Sequence, residues 1–148
     1  MKRRGWKLSL ILMTIAILLI IGVKFDGSLS NIWKQREDFI SNIQMGGDRY
    51  TFSFASIRHY MFHIIEPYAM RNILGNIGPF VILAFLACGA FPGRKILYSW
   101  LYCLFWGIGI EVFQYLTWFG AFDISDIVLR AVGILVGILG YSIKERKT

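Results

Sequence analysis

Four long apolar stretches dominate the pattern of hydrophobic and polar positions along the chain. They cover approximately residues 7–24, 73–91, 96–116 and 127–143. Each is close to the length of about 20 residues that an α-helix needs to cross the hydrocarbon core of a bilayer. The pattern therefore predicts an all-α membrane protein, a bundle of four transmembrane helices in which residues 1–148 form one domain.

The first apolar stretch has two interpretations. Basic residues precede it, as they precede the apolar region of a cleavable signal peptide. However, the stretch is long for a signal peptide, and the residues around Gly22 offer no small-x-small cleavage site. We therefore favour an uncleaved first transmembrane helix.

The polar connection at residues 25–71 is predicted to form an outer loop with short helices. Apolar positions recur at helical spacing between Asn31 and Gln44, and residues Ser56–Glu66 also have a helical pattern. Between them, aromatic residues alternate with small polar ones from Tyr50 to Phe54. This alternation predicts a short extended segment, although no second strand is evident in the sequence.

Charge placement indicates the orientation of the bundle. The chain is 56% hydrophobic and has a net charge of +7. Its basic residues cluster before the first stretch, at Arg94 and Lys95, and after the fourth stretch. Basic residues on alternate sides of successive spans follow the positive-inside rule. We predict a cell-membrane protein with both termini in the cytoplasm, and the same placement argues against nucleic acid as a partner.

Metal and thiol chemistry are not predicted. Cys88 and Cys103 lie inside apolar stretches, where a reduced, packed thiol is expected. His59 and His63 are four residues apart and share a helix face, but no third ligand accompanies them. We therefore expect neither a metal nor a cofactor.

Eight polar or charged residues are predicted to gather at one leaflet of the membrane. They are Arg71, Asn72, Asn76, Glu111, Gln114, Asp123, Asp126 and Arg130. With both termini in the cytoplasm, all eight fall at the outer leaflet. Ionisable groups at membrane depth are costly, so they mark functional sites or groups paired inside a bundle. We predict that the eight residues line a ligand-binding pocket that is open to the outside.

Structural roles are the alternative for individual members of this set. Asp123 or Asp126 can cap the last helix, and Arg130 follows Asp126 at the spacing of an i,i+4 ion pair. Arg130 can instead neutralise Glu111. Interhelical hydrogen bonds in membranes contribute only about 0.6 kcal/mol on average, so such contacts are ordinary. The convergence of all eight residues favours the pocket.

Four short motifs in this region resemble the VanZ-like family, which is named for a teicoplanin-resistance protein. They read Asn72-x3-Asn76-x3-Phe80, Ile110-Glu111-x2-Gln114, Phe122-Asp123-Ile124-x-Asp126 and Gly133-x3-Gly137. The family consists of small multi-pass membrane proteins, some of which lower sensitivity to lipoglycopeptide antibiotics. One departure concerns Arg130, which stands where family members usually carry asparagine. A fixed cation there changes what a pocket can bind.

The resemblance implies a non-enzymatic protein of the bacterial cell envelope. Its pocket would bind an amphiphile, namely a membrane lipid, a lipid-linked cell-wall precursor or a lipoglycopeptide such as teicoplanin. One alternative is a membrane enzyme acting on a polyprenyl phosphate or lipid-linked sugar, with Glu111 and Asp123 or Asp126 as acid and base. The other alternative is a helper subunit that packs against a partner through Gly133 and Gly137.

Overall fold

The computed structural model describes residues 3–23, 28–91 and 95–146, with the backbone alone at Arg3. Its elements are α1 (Arg3–Ile17), a π-helix (Leu18–Gly22), α2 (Leu29–Gln44), β1 (Tyr50–Thr51), α3 (Ala55–Phe62), α4 (Pro67–Ala90), α5 (Lys95–Thr117), β2 (Phe122–Asp123) and α6 (Ile124–Arg146). Several features of the predicted charge pattern lie outside the described residues. They are Lys2, Arg94 and Lys147.

Four helical segments are long and apolar enough to cross a membrane. They are Arg4–Gly22, Pro67–Ala90, Lys95–Thr117 and Ile124–Arg146. The prediction of four membrane-length helices, joined by a connection that bears short helices, is therefore confirmed. The cytoplasmic location of the two termini stays a prediction.

The second of these helices begins earlier than the sequence pattern predicts. Proline occupies the first turn of α4 at Pro67, a position where its missing N–H group costs no hydrogen bond. The helix therefore starts six residues before the predicted Ile73. As a result, Arg71 and Asn72 lie on α4 itself.

Helix α4 lies at the centre of the bundle. It makes its most extensive contact with α6 and also packs against α1 and α5. Its fully buried core side chains include the aromatic Phe80 and three small or aliphatic residues, Leu83, Ala84 and Ala87. The small residues allow the neighbouring helices to approach closely.

Gly133 and Gly137 form the closest contact between α4 and α6. A Cβ atom built on Gly133 would meet the backbone carbonyl oxygen of Ile77, and one built on Gly137 would meet that of Val81. Both glycines thus pack against a helix of the same chain. The surface that they would offer to a partner subunit is covered by α4.

The extended segment at Tyr50 has a partner strand that the sequence analysis missed. β1 pairs in parallel with β2, with Tyr50 opposite Phe122 and Thr51 opposite Asp123. Each strand contains two residues, which is too short for an alternating pattern to reveal β2. The pairing fastens the loop before α3 to the connection between α5 and α6.

Two arginines of the same loop satisfy backbone carbonyls at the end of α5. Arg36 Nε donates to the Thr117 oxygen at 3.0 Å, and Arg49 Nη2 donates to the Tyr115 oxygen at 2.8 Å. Cations are stabilising at the C-terminus of a helix, where the last carbonyls lack intrahelical partners. These contacts and the β1–β2 pair position the loop over one end of the bundle.

Candidate functional site

The candidate site is a group of five side chains that meet inside this end of the bundle, here called the polar network. Its members come from three membrane-length helices and from β2: Asn76, Glu111, Asp123, Asp126 and Arg130. The structure thus brings together five of the eight residues predicted from the sequence.

Arg130 is the centre of the polar network. Its side chain is 1% exposed, and each of its three nitrogens donates a hydrogen bond. Nε contacts Asn76 Oδ1 at 2.9 Å, Nη1 contacts the Gly107 carbonyl oxygen at 2.6 Å, and Nη2 contacts Glu111 Oε1 at 2.5 Å. Arginine therefore joins α4, α5 and α6 through one planar group, a geometry that lysine cannot reproduce.

Glu111 is fully buried and is the direct counter-ion of Arg130. Its second oxygen, Oε2, accepts a hydrogen bond from the backbone N–H of Asp123 at 2.9 Å. Both oxygens are thus occupied, one by the cation and one by the connection that follows α5. A buried charge is tolerated when it is paired and hydrogen-bonded in this way.

Asp123 caps α6 and ties the network to the loop. Its Oδ1 accepts the backbone N–H of Ser125 at 2.8 Å, which satisfies one of the first N–H groups of the helix. Its Oδ2 accepts the hydroxyl of Ser56 at 2.8 Å. The predicted choice between Asp123 and Asp126 as the cap is therefore decided in favour of Asp123.

Asp126 lies at the rim of the network. Its Oδ2 is 3.9 Å from Arg130 Nη2, so the predicted i,i+4 contact is present, but the alternative partner predicted for Arg130, Glu111, is the closer one at 2.5 Å. The Asp126 side chain is 24% exposed. Tyr60 of α3 lies nearby. Burial, followed by Tyr68 and the negative charges of Asp126 and Asp123, raises the pKa of the Tyr60 phenol above its ordinary value. Tyr60 therefore presents a neutral hydroxyl next to the network.

Three of the eight predicted residues lie outside the network. Gln114 Nε2 donates to the Ile21 carbonyl oxygen at 2.7 Å and so ties α5 to the π-helix at the end of the first span. Asn72 Nδ2 donates to the Tyr68 carbonyl oxygen of its own helix at 2.9 Å. Arg71 is exposed on the first turns of α4.

Two cavities flank the network. The first, here called the α3 cavity, has a volume of about 360 Å³ and is lined by Ala55, Ser56, His59, Tyr60 and Tyr68. The second, here called the aromatic groove, has a volume of about 340 Å³ and is lined by Tyr50, Phe52, Tyr115 and Phe122. Both volumes are at the lower end of the range of small-molecule sites.

Several groups at the site were not predicted from the sequence. Ser56 binds Asp123, and the hydroxyl of Ser125 donates to the Ser53 carbonyl oxygen at 3.4 Å. The Gly107 carbonyl is a ligand of Arg130. Single serines and a backbone oxygen carry no sequence signal of their own. The alternation from Tyr50 to Phe54 was the one available indication that this segment is held in place.

Hydrogen bonds and ion pairs join the buried side chains of the polar network to one another, and its rim at Asp126 is partly exposed. Glu111 and Asp123 each accept two hydrogen bonds, one on each carboxylate oxygen. Within residues 3–23, 28–91 and 95–146, no group of three His, Cys, Asp or Glu side chains could hold a metal ion.

The model of one protein family, VanZ/LLP1, matches residues 10–145. The match includes every member of the polar network and most of the first membrane-length helix. It confirms the resemblance that the motifs between Asn72 and Gly137 carried and extends it over the loop before α4. No curated protein and no solved structure matches the chain at a significant level.

Proposed function

Because this chain belongs to the VanZ/LLP1 family of multi-pass membrane proteins, we propose that it binds an amphiphile at the polar-network end of the bundle. The amphiphile is a membrane lipid, a lipid-linked cell-wall precursor or a lipoglycopeptide such as teicoplanin, and binding lowers sensitivity to the lipoglycopeptide. In this proposal the network end faces the outside of the cell, and the protein acts without catalysing a reaction.

The observation that carries the proposal is the position of the α3 cavity near both polar and apolar surfaces. The cavity is lined by hydroxyl groups and an imidazole that adjoin the network through Ser56 and Tyr60. The end of α3 and the residues after it, which lie between the lining residues Tyr60 and Tyr68 in the sequence, expose apolar side chains, of which Phe62 is 80% and Ile65 is 88% exposed. A molecule with a polar head and an apolar tail matches both surfaces at once.

The predicted site residues divide into two roles in this proposal. Asn72, Asp126 and Arg71 contact the polar head of the ligand, since they lie at the rim or on the exposed first turns of α4. Asn76, Glu111, Asp123 and Arg130 are positioning residues, because they are buried or fully bonded and hold the rim in place. Gln114 anchors the first span and does not contact the ligand.

The proposal predicts a selective change in antibiotic sensitivity. Cells that express the protein should tolerate several-fold more teicoplanin than cells without it, while vancomycin, which has no lipid tail, should show a smaller change. Arg71→Gln and Asp126→Asn should each remove most of the protection, because they remove charge that faces the ligand head. Minimum inhibitory concentrations at matched membrane levels of protein provide the measurement.

Arg146→Gln is the matched control. This variant also removes one exposed cation, but it lies 20 residues after Asp126 on α6, which is about 30 Å along the helix. It should protect as well as the unmodified protein. Equal protection against both antibiotics, or full protection by Arg71→Gln and Asp126→Asn, would be incompatible with the proposed site.

A further inference from the structure

The aromatic groove lies at the end of a membrane-length helix. Tyr115, one of its lining residues, is two residues before the end of α5 at Thr117, a distance of about 3 Å along the helix axis. Tyrosine and tryptophan are enriched at this depth, where acyl chains meet the headgroup region. The groove is therefore placed where a bilayer lipid can enter it from the side.

The lining of the groove is apolar and aromatic. Phe52 packs against Tyr50 and Phe122, with ring centroids 5.6 and 5.8 Å apart. Tyr50 and Phe52 are nevertheless 59% and 67% exposed. Rings that are held by one another and still exposed on one side offer a preformed apolar surface to a hydrocarbon chain.

Arg49 supplies a positive charge at the edge of this groove. Its guanidinium carbon lies 3.6 Å from the Trp118 ring centroid and 4.3 Å from that of Tyr115. Nη2 donates to the Tyr115 carbonyl oxygen, while Nε is buried without a hydrogen-bond partner. Among the described residues, no carboxylate lies within ion-pair distance of Arg49. The guanidinium is thus held by two aromatic rings and one carbonyl oxygen, and no described carboxylate pairs with it.

The groove is separate from the site of the proposed function. Phe122 and Asp123 are successive residues of β2, whose side chains point to opposite faces of the strand. Phe122 lines the groove, whereas Asp123 belongs to the polar network. A ligand in the groove therefore occupies a different surface from one in the α3 cavity.

We propose that the aromatic groove binds one acyl chain of an anionic bilayer phospholipid and that Arg49 contacts its headgroup phosphate. The groove accommodates the hydrocarbon, and the positive guanidinium complements the negative charge of the phosphate. Tyr115 contributes to both parts, since its ring lines the groove and also lies against the guanidinium.

Native mass spectrometry of the full-length protein in detergent tests this proposal. The protein is titrated with phosphatidylglycerol and, separately, with phosphatidylcholine of the same chain length. We expect phosphatidylglycerol to bind about fivefold more tightly, since one basic residue near a membrane surface contributes about that factor. Arg49→Gln should remove the preference, and Phe52→Ser should weaken binding of both lipids by on the order of tenfold.

Two control variants distinguish lipid binding in the aromatic groove from non-specific electrostatic attraction and from binding in the α3 cavity. Arg36→Gln removes another arginine that binds a carbonyl at the end of α5, and Arg71→Gln removes a residue of the proposed function. Both variants should keep the lipid preference. An equal loss in Arg36→Gln, or unchanged binding in both Arg49→Gln and Phe52→Ser, would overturn the proposal. Displacement of phosphatidylglycerol by a lower concentration of undecaprenyl phosphate would overturn the assignment to a phospholipid.

Discussion

Replacing Arg130 with methionine should lower the free energy of unfolding by about 3–5 kcal/mol, the usual cost of removing one partner of a buried ion pair. Methionine fills a similar volume but leaves the fully buried Glu111 carboxylate without its cation. Asn76 and the Gly107 carbonyl also lose their donors. Equilibrium unfolding of the purified protein in mixed detergent micelles measures this change.

Arg71→Met is the matched control for this substitution. It replaces an exposed arginine on α4, and exposed substitutions usually change stability by no more than about 0.5 kcal/mol. If Arg130→Met unfolded at the same denaturant concentration as Arg71→Met, the network would not be holding the three helices together.

Replacing both members of the pair should be far less damaging than the two single changes predict. Glu111→Leu alone leaves Arg130 buried, with Asp126 at 3.9 Å as the remaining carboxylate. This single change should lower the free energy of unfolding by about 3–5 kcal/mol. In the double variant Glu111→Leu/Arg130→Met, no charge of the pair is left unpaired. The Asp123 N–H group still loses its acceptor, and Asn76 and the Gly107 carbonyl still lose their donors, so each of these buried groups continues to lower the free energy of unfolding, by about 1–3 kcal/mol where it stays unpaired.

A double-mutant cycle measures the coupling between these two residues. Residues that share a hydrogen-bonded pair show coupling free energies of about 0.5–3 kcal/mol, and we expect a value at or above the upper end. If the decreases in unfolding free energy of the two single variants simply added up in the double variant, Glu111 and Arg130 would act independently.

The departure from the family pattern at Arg130 has a structural counterpart. Where the resemblance predicts asparagine, this chain carries a cation whose charge is matched by Glu111 and, at longer range, by Asp126. The substitution therefore alters the interior of the network, where Arg130 is buried, while Arg71, Asn72 and Asp126 lie at its rim or on the first turns of α4. This is why the proposed ligand contacts are assigned to Arg71, Asn72 and Asp126.

The sequence pattern predicted the helices well because burial in a bilayer imposes a length and composition on each span. The predicted helical pattern at Ser56–Glu66 stops just before Pro67 and the next helix is predicted from Ile73, whereas α4 begins at Pro67. Proline is equally compatible with the first turn of a new helix, and only the packing of the chain decides between the two.

The contact between Asp126 and Arg130 and the pairing of Arg130 with Glu111 were among the predictions from the sequence, whereas most other contacts between elements of the site were not. The spacing of Asp126 and Arg130 fixes their i,i+4 contact, and this pair was predicted. Glu111 and Gln114 lie one turn apart, yet Glu111 faces α6 whereas Gln114 faces the π-helix after α1. The neighbouring helix that a side chain contacts depends on how the helices are arranged in the bundle. The spacing of residues along one helix does not determine that arrangement.

The most direct test of the central claim is whether the purified protein recognises a polar head and an apolar tail together. Binding to protein in lipid nanodiscs is measured for teicoplanin against its deacylated core, and for a lipid-linked cell-wall precursor against its water-soluble head. The account predicts that, in at least one pair, the lipidated member binds ten times more tightly or better, and that Arg71→Gln loses this binding. Equal affinities within both pairs, or undiminished binding by Arg71→Gln, would contradict it.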